Sequence, residues 1–573
     1  MKSIFIICLS FLVFFNSFSQ KTPFEQSNGK ETATYFEAIN FYKSLSKSSG
    51  KIKILSIGAT DAGFPLNLIL LSNDKKFDPI QWHKDHKVVL LINNGIHPGE
   101  PDGIDASMML VRDILNGKVK FPDQVVIGVI PIYNIGGSLN RNAFSRVNQN
   151  GPNSYGFRGN SQNLDLNRDF TKNDTKNSSS FVQIFHFLEP DILIDNHVSD
   201  GADYQHTMTL IATQYDKLGG SIGQFLKNYF EPALYKNMST KGWDMVPYVN
   251  FETSSPDKGM EQFYDQPRYS SGYAALFQTI SFMPETHMLK PFSDRVKSTY
   301  DLMRAMIEEA SKQSISLLAA RKQSIDNIKT AGNFPLTWIA DSIQHTQITF
   351  KGYEQAFKTS EATGLQRMYF DHNKPFTRQV NYYNHFIPAQ ITPTPKSYLI
   401  PQGWWAVLDI LKLNGVIMER LPKDTMIEVQ CYRISDYKTF PKAYEKHHKN
   451  YSVTVSSNIQ PIAFRKGDYV IKMDQKNNRY ILEMLEPTGD DSFFAWNFFD
   501  AILQQKEGYS DYRWEDVASD VIKKDPALKT RLEDKKSKDP AFAKSSSAQL
   551  DFIYKNSPYY EPAHLRYPVY RLN

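Results

Sequence analysis

The chain has 573 residues, of which 41% are hydrophobic, 13% aromatic and 22% charged. That is the mix of a packed protein of two or three domains, and it excludes a collagenous, coiled-coil or largely disordered chain. Lys+Arg 66 against Asp+Glu 61 leaves a net charge of only +5, too little for a basic nucleic-acid footprint, so no nucleic-acid partner is expected.

Residues 1–19 read as a signal peptide. Lys2 is a short positive start, residues 4–15 are almost continuously apolar, and Ser17 and Ser19 offer the small residues that precede cleavage after Ser19. The apolar run is shorter than the ~20 residues of a spanning helix. The expectation is a secreted or periplasmic protein with no transmembrane anchor after cleavage. Removing this segment takes Cys8 with it and leaves Cys431 alone. No intramolecular disulfide can then form, and Cys431 reads as a buried thiol.

Residues 20–330 alternate strand-like and helix-like stretches. Residues 88–92 form a continuous apolar run, expected of a strand buried on both faces. Residues 105–115 follow with helical spacing at Met108, Leu110, Val111 and Ile114. Residues 125–132, 191–195, 208–212 and 280–283 read as further buried strands, and the polar stretch 171–180 as a surface loop. Strands separated by helices imply an α/β layered domain around a parallel or mixed sheet. Residues 331–510 read as a smaller β-rich accessory domain, with short alternating segments punctuated by Pro and Gly. Residues 511–573 read as helical, with Asp525-Pro526 and Asp539-Pro540 each placing a cap before a proline at the first helical position.

The chemistry-bearing residues lie in the first of these regions. His97-Pro98-Gly99-Glu100 follows the strand at 88–92, so an imidazole and a carboxylate can turn into one crevice at a strand's carboxyl end. A catalytic zinc takes three His or carboxylate ligands and keeps one position open. His197, just beyond the strand at 191–195, supplies a third, with Asp195 placed to orient it. Asn167-Arg168 lies between the two histidines, a donor pair suited to a carboxylate. Glu285 follows the strand at 280–283 and Pro284, where a carboxylate can serve as general base. Each element alone has a blander reading: a chance H-x-x-E, a core histidine, a capped turn, a solvated strand-end charge.

In this order, His97-x-x-Glu100, Asp165-Leu166-Asn167-Arg168, His197 and Glu285 resemble the zinc carboxypeptidase family, the carboxypeptidase A-like metallopeptidases, over about residues 30–320. The resemblance implies an α/β/α sandwich around a mixed sheet. It implies one zinc per chain on His97, Glu100 and His197, Glu285 as base to a zinc-activated water, and Asn167 and Arg168 gripping the substrate's terminal carboxylate. An arginine that polarises the scissile carbonyl belongs between the turn at Asn134 and Asn167; Arg146 is the choice, with Arg141 and Arg158 as rivals. A substrate-capping tyrosine belongs before Glu285, with Tyr264, Tyr269 and Tyr273 competing. The usual Asn-Pro-Asp-Gly turn of the family reads Asn134-Ile135-Gly136-Gly137 here.

The function implied is an exported metallocarboxypeptidase acting on a peptide or peptide-like substrate with a free carboxylate. Two alternatives stand beside it: a zinc amidase or peptidase on murein peptides or amide conjugates, and a degenerate, non-catalytic binding module.

Overall fold

The computed structural model describes residues 20–249, 256 and 259–573; the expected signal peptide and Cys8 lie outside the described residues. Among the described residues, no helix is long and apolar enough to cross a membrane.

The first region is built on β1 (Ile52–Ala59), β2 (Pro65–Leu71), β3 (Val88–Asn93), β4 (Val125–Ile130), β5 (Ile192–Asp195), β6 (His197–Ser199), β7 (Met208–Ala212), β8 (Val246–Pro247), the short β9 (Met260–Glu261) and β10 (Ile280–His287). All but β9 join one mixed sheet in the order β1-β2-β4-β3-β5-β10-β7-β8, with β6 also on β10. β3 runs parallel to β4 and β5, and β10 parallel to β5 and β6, whereas β1/β2, β2/β4 and β7/β10 are antiparallel.

β3 shows why the sheet is a middle layer. Its side chains alternate between faces: Val88, Leu90 and Ile92 join the core under the helices Tyr35–Ser48, Asp102–Leu115 and Phe292–Lys312, while Val89 and Leu91 join a second core on the opposite face. Each fully buried side chain of this size is worth about 1.5–3 kcal/mol over exposure. The expected α/β/α sandwich is therefore present.

The second core does not stop at residue 330. It mixes Phe181, Phe185 and Leu188 of the helix Lys176–Leu188 with Leu408 and Leu411, with Ile481, Leu482 and Leu485, and with Tyr567. The later region is β-rich, as expected. It contains β11 (Asn333–Ala340), β12 (Thr346–Thr359), β13 (Gln366–Tyr383), β14 (Phe386–Pro393), β15 (Ser397–Ile400), β16 (Glu419–Arg420), β17 (Thr425–Thr439), β18 (Asn450–Phe464) and β19 (Tyr469–Lys472). The helices Asp511–Lys524, Pro526–Lys538 and Ser546–Lys555 follow, packed on their own small core around Trp514 and Leu528.

Three expectations are corrected. The C-terminal stretch is not helical to its end: β20 (Tyr570–Leu572) returns between β15 and β17 in a sheet ordered β16-β19-β15-β20-β17-β18. Residues 171–180 are no surface loop. Thr171, Lys172, Thr175, Ser178 and Ser180 are buried, because the Asp169 carboxylate accepts from the Asp174 and Thr175 backbone N–H groups and from Lys172 Nζ, while the Thr175 side chain caps the helix at 176. Hydrogen-bonded polar residues are commonly buried. The strand expected to stop at 283 runs on to His287. Pro284 lacks an N–H, so pairing to β5 and β6 lapses opposite Asn196, yet the register resumes with Glu285 beside His197.

Candidate active site

The turn after β3 brings two candidate ligands together. Glu100 N–H donates to the His97 carbonyl oxygen at 2.8 Å, which folds residues 97–100 back on themselves before the helix at Asp102. A Cβ at Gly99 would stand 3.0 Å from the Gly156 carbonyl oxygen and 2.9 Å from Arg146 Cδ, so a larger residue there crowds both. His97 Nδ1 and His197 Nδ1 each lie 3.1 Å from a Glu100 carboxylate oxygen, and the ligand-type atoms of all three residues fall within 4.8 Å of one another.

The far side of each imidazole is tied down. His97 Nε2 is 2.9 Å from Asp165 Oδ1, and His197 Nε2 is 3.0 Å from Asp195 Oδ2. Asp195 is itself held by Asn93 Nδ2 at 3.0 Å. A carboxylate behind each histidine is the arrangement that orients metal-ligating imidazoles and raises their basicity. The donor set, two imidazoles and one carboxylate, suits zinc.

The electrostatics agree. Burial pushes the Glu100 carboxyl up, but Arg146, His97 and His197 outweigh it and hold the group well below the usual carboxylate range. Burial disfavours charge on His197, yet Asp195 and Glu100 raise it well above the ordinary imidazole value. The same charges that favour a proton on His197 would favour a divalent cation in its place.

These residues line a cavity of about 610 Å³ together with Asn167, Arg168, Arg146, Arg158 and Glu285. Glu285 is pushed up to about 8 by burial, with Glu100 and Asp195 adding to the rise and His197 and Arg158 opposing it. Asn167 Oδ1 accepts from Ser270 N–H at 3.3 Å. Arg168 stacks over the Tyr269 ring at 4.6 Å, and its Nη1 donates to the Asn167 carbonyl oxygen at 2.8 Å. Ile211, Tyr248, Phe263, Tyr269 and Met283 give the cavity an apolar wall.

Of the rival arginines, Arg146 and Arg158 reach the cavity. Arg146 pairs with Glu100, and Arg158 Nη2 with Asp165 at 2.7 Å. Arg141 points elsewhere, donating to the Ser154 carbonyl oxygen at 2.7 Å. Of the three tyrosines, Tyr269 lines the cavity. Tyr273 is fully buried and donates to Asn414 Oδ1 at 2.7 Å, and Tyr264 donates to Asp490 at 3.0 Å. Tyr248 lines the cavity and was not anticipated; it adjoins the two-residue strand β8, too short to show a period. His206 and His287 are buried on backbone partners and pushed down to about 4 by burial. Cys431 is buried in β17. The acidic residues 486, 490 and 491 are paired, with Arg571, Tyr264 and Arg268 respectively.

Comparison with known proteins gives a family match and several relatives. Residues 39–192 match the family model described as Zinc carboxypeptidase, a span that holds His97, Glu100, Asn167 and Arg168. Carboxypeptidase 2 of Trichophyton tonsurans is 23% identical over 437 residues, covering 73% of this chain and 75% of the relative. Carboxypeptidase 2 of Trichophyton rubrum is 21% identical, over 76% and 77%. Among solved structures, the carboxypeptidase A from Helicoverpa armigera aligns with a TM-score of 0.38 at 15% identity, over 51% of this chain and 75% of that one. The resemblance to the zinc carboxypeptidases thus holds at the level of sequence, and the chain is an enzyme of the metallocarboxypeptidase type.

Proposed function

We propose that the protein is an exported zinc metallocarboxypeptidase that hydrolyses the C-terminal peptide bond of substrates with a free carboxylate, one zinc per chain being held by His97, Glu100 and His197. The supporting observation is that the His97–Glu100–His197 cluster, Glu285 and the Asn167–Arg168 pair line one cavity. The case for export is the sequence of residues 1–19.

Zinc, when bound, supplies a Lewis acid that polarises the scissile carbonyl and acidifies water. The chain's own residues do the rest. Arg168 presents a planar donor fork to the terminal carboxylate, and Asn167 stands beside it. Arg146 lends positive charge to the carbonyl oxygen as it becomes an oxyanion. Glu285 takes a proton from the attacking water and passes it to the leaving amine. Its carboxyl is raised mainly by burial, with the Glu100 charge adding to the rise.

The test pairs metal analysis with hydrolysis of matched free-acid and amidated peptides. One zinc per chain and rapid cleavage of the free acid alone are expected. Equal rates on both overturn the carboxypeptidase reading and point to amide conjugates or murein peptides, with Arg168 facing another part of the ligand.

A further inference from the structure

The residues lining the catalytic cavity fall between His97 and Met288, yet two groups that hold its floor arrive from one turn 276 and 280 positions further along the chain. Strands β17 and β18 pair as far as Thr439 and Asn450. The chain between them continues as a narrow ribbon. Phe440 N–H donates to the Lys449 carbonyl oxygen at 3.0 Å, and Tyr444 and His447 exchange backbone hydrogen bonds of 2.8 and 3.1 Å. The two residues at the tip, Glu445 and Lys446, have φ of 49° and 75°. A two-residue hairpin turn needs this left-handed conformation, which Asn-Gly or Asp-Gly normally provides and which Glu and Lys resist.

Their side chains are engaged with the catalytic region. Glu445 Oε2 accepts the Asp165 backbone N–H at 2.8 Å, and His447 Nε2 lies 2.7 Å from Asp174. Tyr444 OH accepts from Arg168 Nε at 2.9 Å. The Tyr444 ring is itself placed by a near-parallel stack on Trp496, with centroids 6.1 Å apart and planes at 15°, and Trp496 is fully buried.

We propose that this tip belongs to the substrate-binding apparatus, and that Tyr444 is a positioning residue that sets the Arg168 guanidinium for the substrate carboxylate. The proposal rests on the carboxypeptidase reading above. Four contacts orient that guanidinium: the Asn167 carbonyl oxygen and, at 3.9 Å, the Asp165 carboxylate on Nη1, the Tyr269 ring on its face and Tyr444 on Nε. The Nη2 corner makes no protein hydrogen bond among the described residues, and it belongs to a side chain that lines the cavity. Without the Tyr444 hydroxyl the guanidinium keeps its charge but loses the contact that fixes its Nε edge, so carboxylate binding weakens while the chemistry at Glu285 is untouched.

The experiment is steady-state kinetics of Tyr444→Phe on matched free-acid and amidated peptides. Phe keeps the ring on Trp496 and removes only the hydroxyl. KM for the free acid should rise roughly ten-fold, the scale of one hydrogen bond to a charged group. Its kcat should stay within about two-fold, and the amidated peptide should be unaffected. In an Arg168→Ala background the same substitution should add nothing, since its effect runs through Arg168. An unchanged free-acid KM, an equal loss on both peptides, or a full additional effect in the Arg168→Ala background overturns the positioning role and leaves the carboxypeptidase reading in place. Unmodified protein that cuts both peptides equally removes that reading, and the proposal with it.

Discussion

The nine-stranded sheet and the later six-stranded sheet treat their faces differently. Every residue of β3, β4 and β5 is buried, so these strands are ordinary interior structure and their carboxyl ends open on a crevice. In β17 and β18 burial alternates or fails, and long stretches of one face are wet. A ribbon with a solvated face can outrun its own sheet, and this one does, reaching Arg168 and Asp165 with Tyr444 and Glu445. The buried sheet thus places reacting groups, and the half-exposed one adjusts how they are held. The shared core around Phe185, Leu411 and Ile481 lets the second act on the first.

The sharpest way to break that division is at the end of β10. Glu285→Gln should lower kcat by roughly 10²–10⁴-fold, the range of general acid–base catalysis, while metal analysis still finds one zinc per chain. His97→Ala, Glu100→Ala and His197→Ala should instead lose the metal and the activity. Stoichiometric zinc on His197→Ala would mean that the third ligand is misassigned. A catalytic residue found beyond position 330 would dissolve the contrast between the regions.

The next largest effect tests the shared core. Trp496 is fully buried between Tyr444, Lys172, Arg268 and Lys449, with the three cations 5.5–5.7 Å from its ring. Trp496→Ala should cost about 3–5 kcal/mol in urea unfolding, with the catalytic and later regions melting together. If near-UV and far-UV signals of the two regions separate in unmodified protein, the regions do not fold as one unit.

Smaller effects sharpen the division within the cavity. Arg168→Ala should slow free-acid peptides by about 10–100-fold, as expected from losing charged hydrogen bonds of ~1.5–3 kcal/mol, and spare amidated ones. Arg146→Ala should slow both, because it faces the carbonyl oxygen and not the terminal carboxylate. Kinetics on the same peptide pair read the difference.

The smallest concerns pH and a buried carboxyl outside the cavity. Asp105 is pushed up to about 7 by burial, although Thr32 and the Ala33 N–H oppose the rise. In the unfolded chain it titrates near ~3.9. Between those values the native state holds a proton the unfolded state has lost, so stability falls as pH rises through this window and levels off above about 7. Asp105→Asn should remove up to about 2 kcal/mol of that fall between pH 5 and 7; denaturant titrations of both proteins at the two pH values measure it. An identical slope in both would show that Asp105 ionises normally in the folded state.

The residues at strand ends were legible because each follows a local pattern. A continuous apolar run announces a doubly covered strand, and His97 and Glu100 just beyond one face the crevice; His197 and Glu285 reach the same cavity from within the paired strands β6 and β10. Where a single residue contradicted the pattern the reading stopped short. Pro284 looked like a strand end, but β10 has neighbours on both sides and continues past it. The stretch 171–180 looked wet because the groups that satisfy it, Asp169 nearby and Ala59, Asp61, Tyr133 and His447 far along the chain, leave no local period.

Sequence alone determined the α/β class and the order of the chemical groups, since these depend on periodicity and spacing over a few residues, and the resemblance to a known family supplied the rest. Only the tertiary structure decided which carboxylate stands behind His97, that β20 closes the later sheet, that Tyr248 lines the cavity, and that a turn at 444–447 holds Arg168. The physical reason is range. A hydrogen bond between side chains 276 positions apart leaves no period in either segment, and its partners are selected by how two sheets pack, which is settled by the whole core at once.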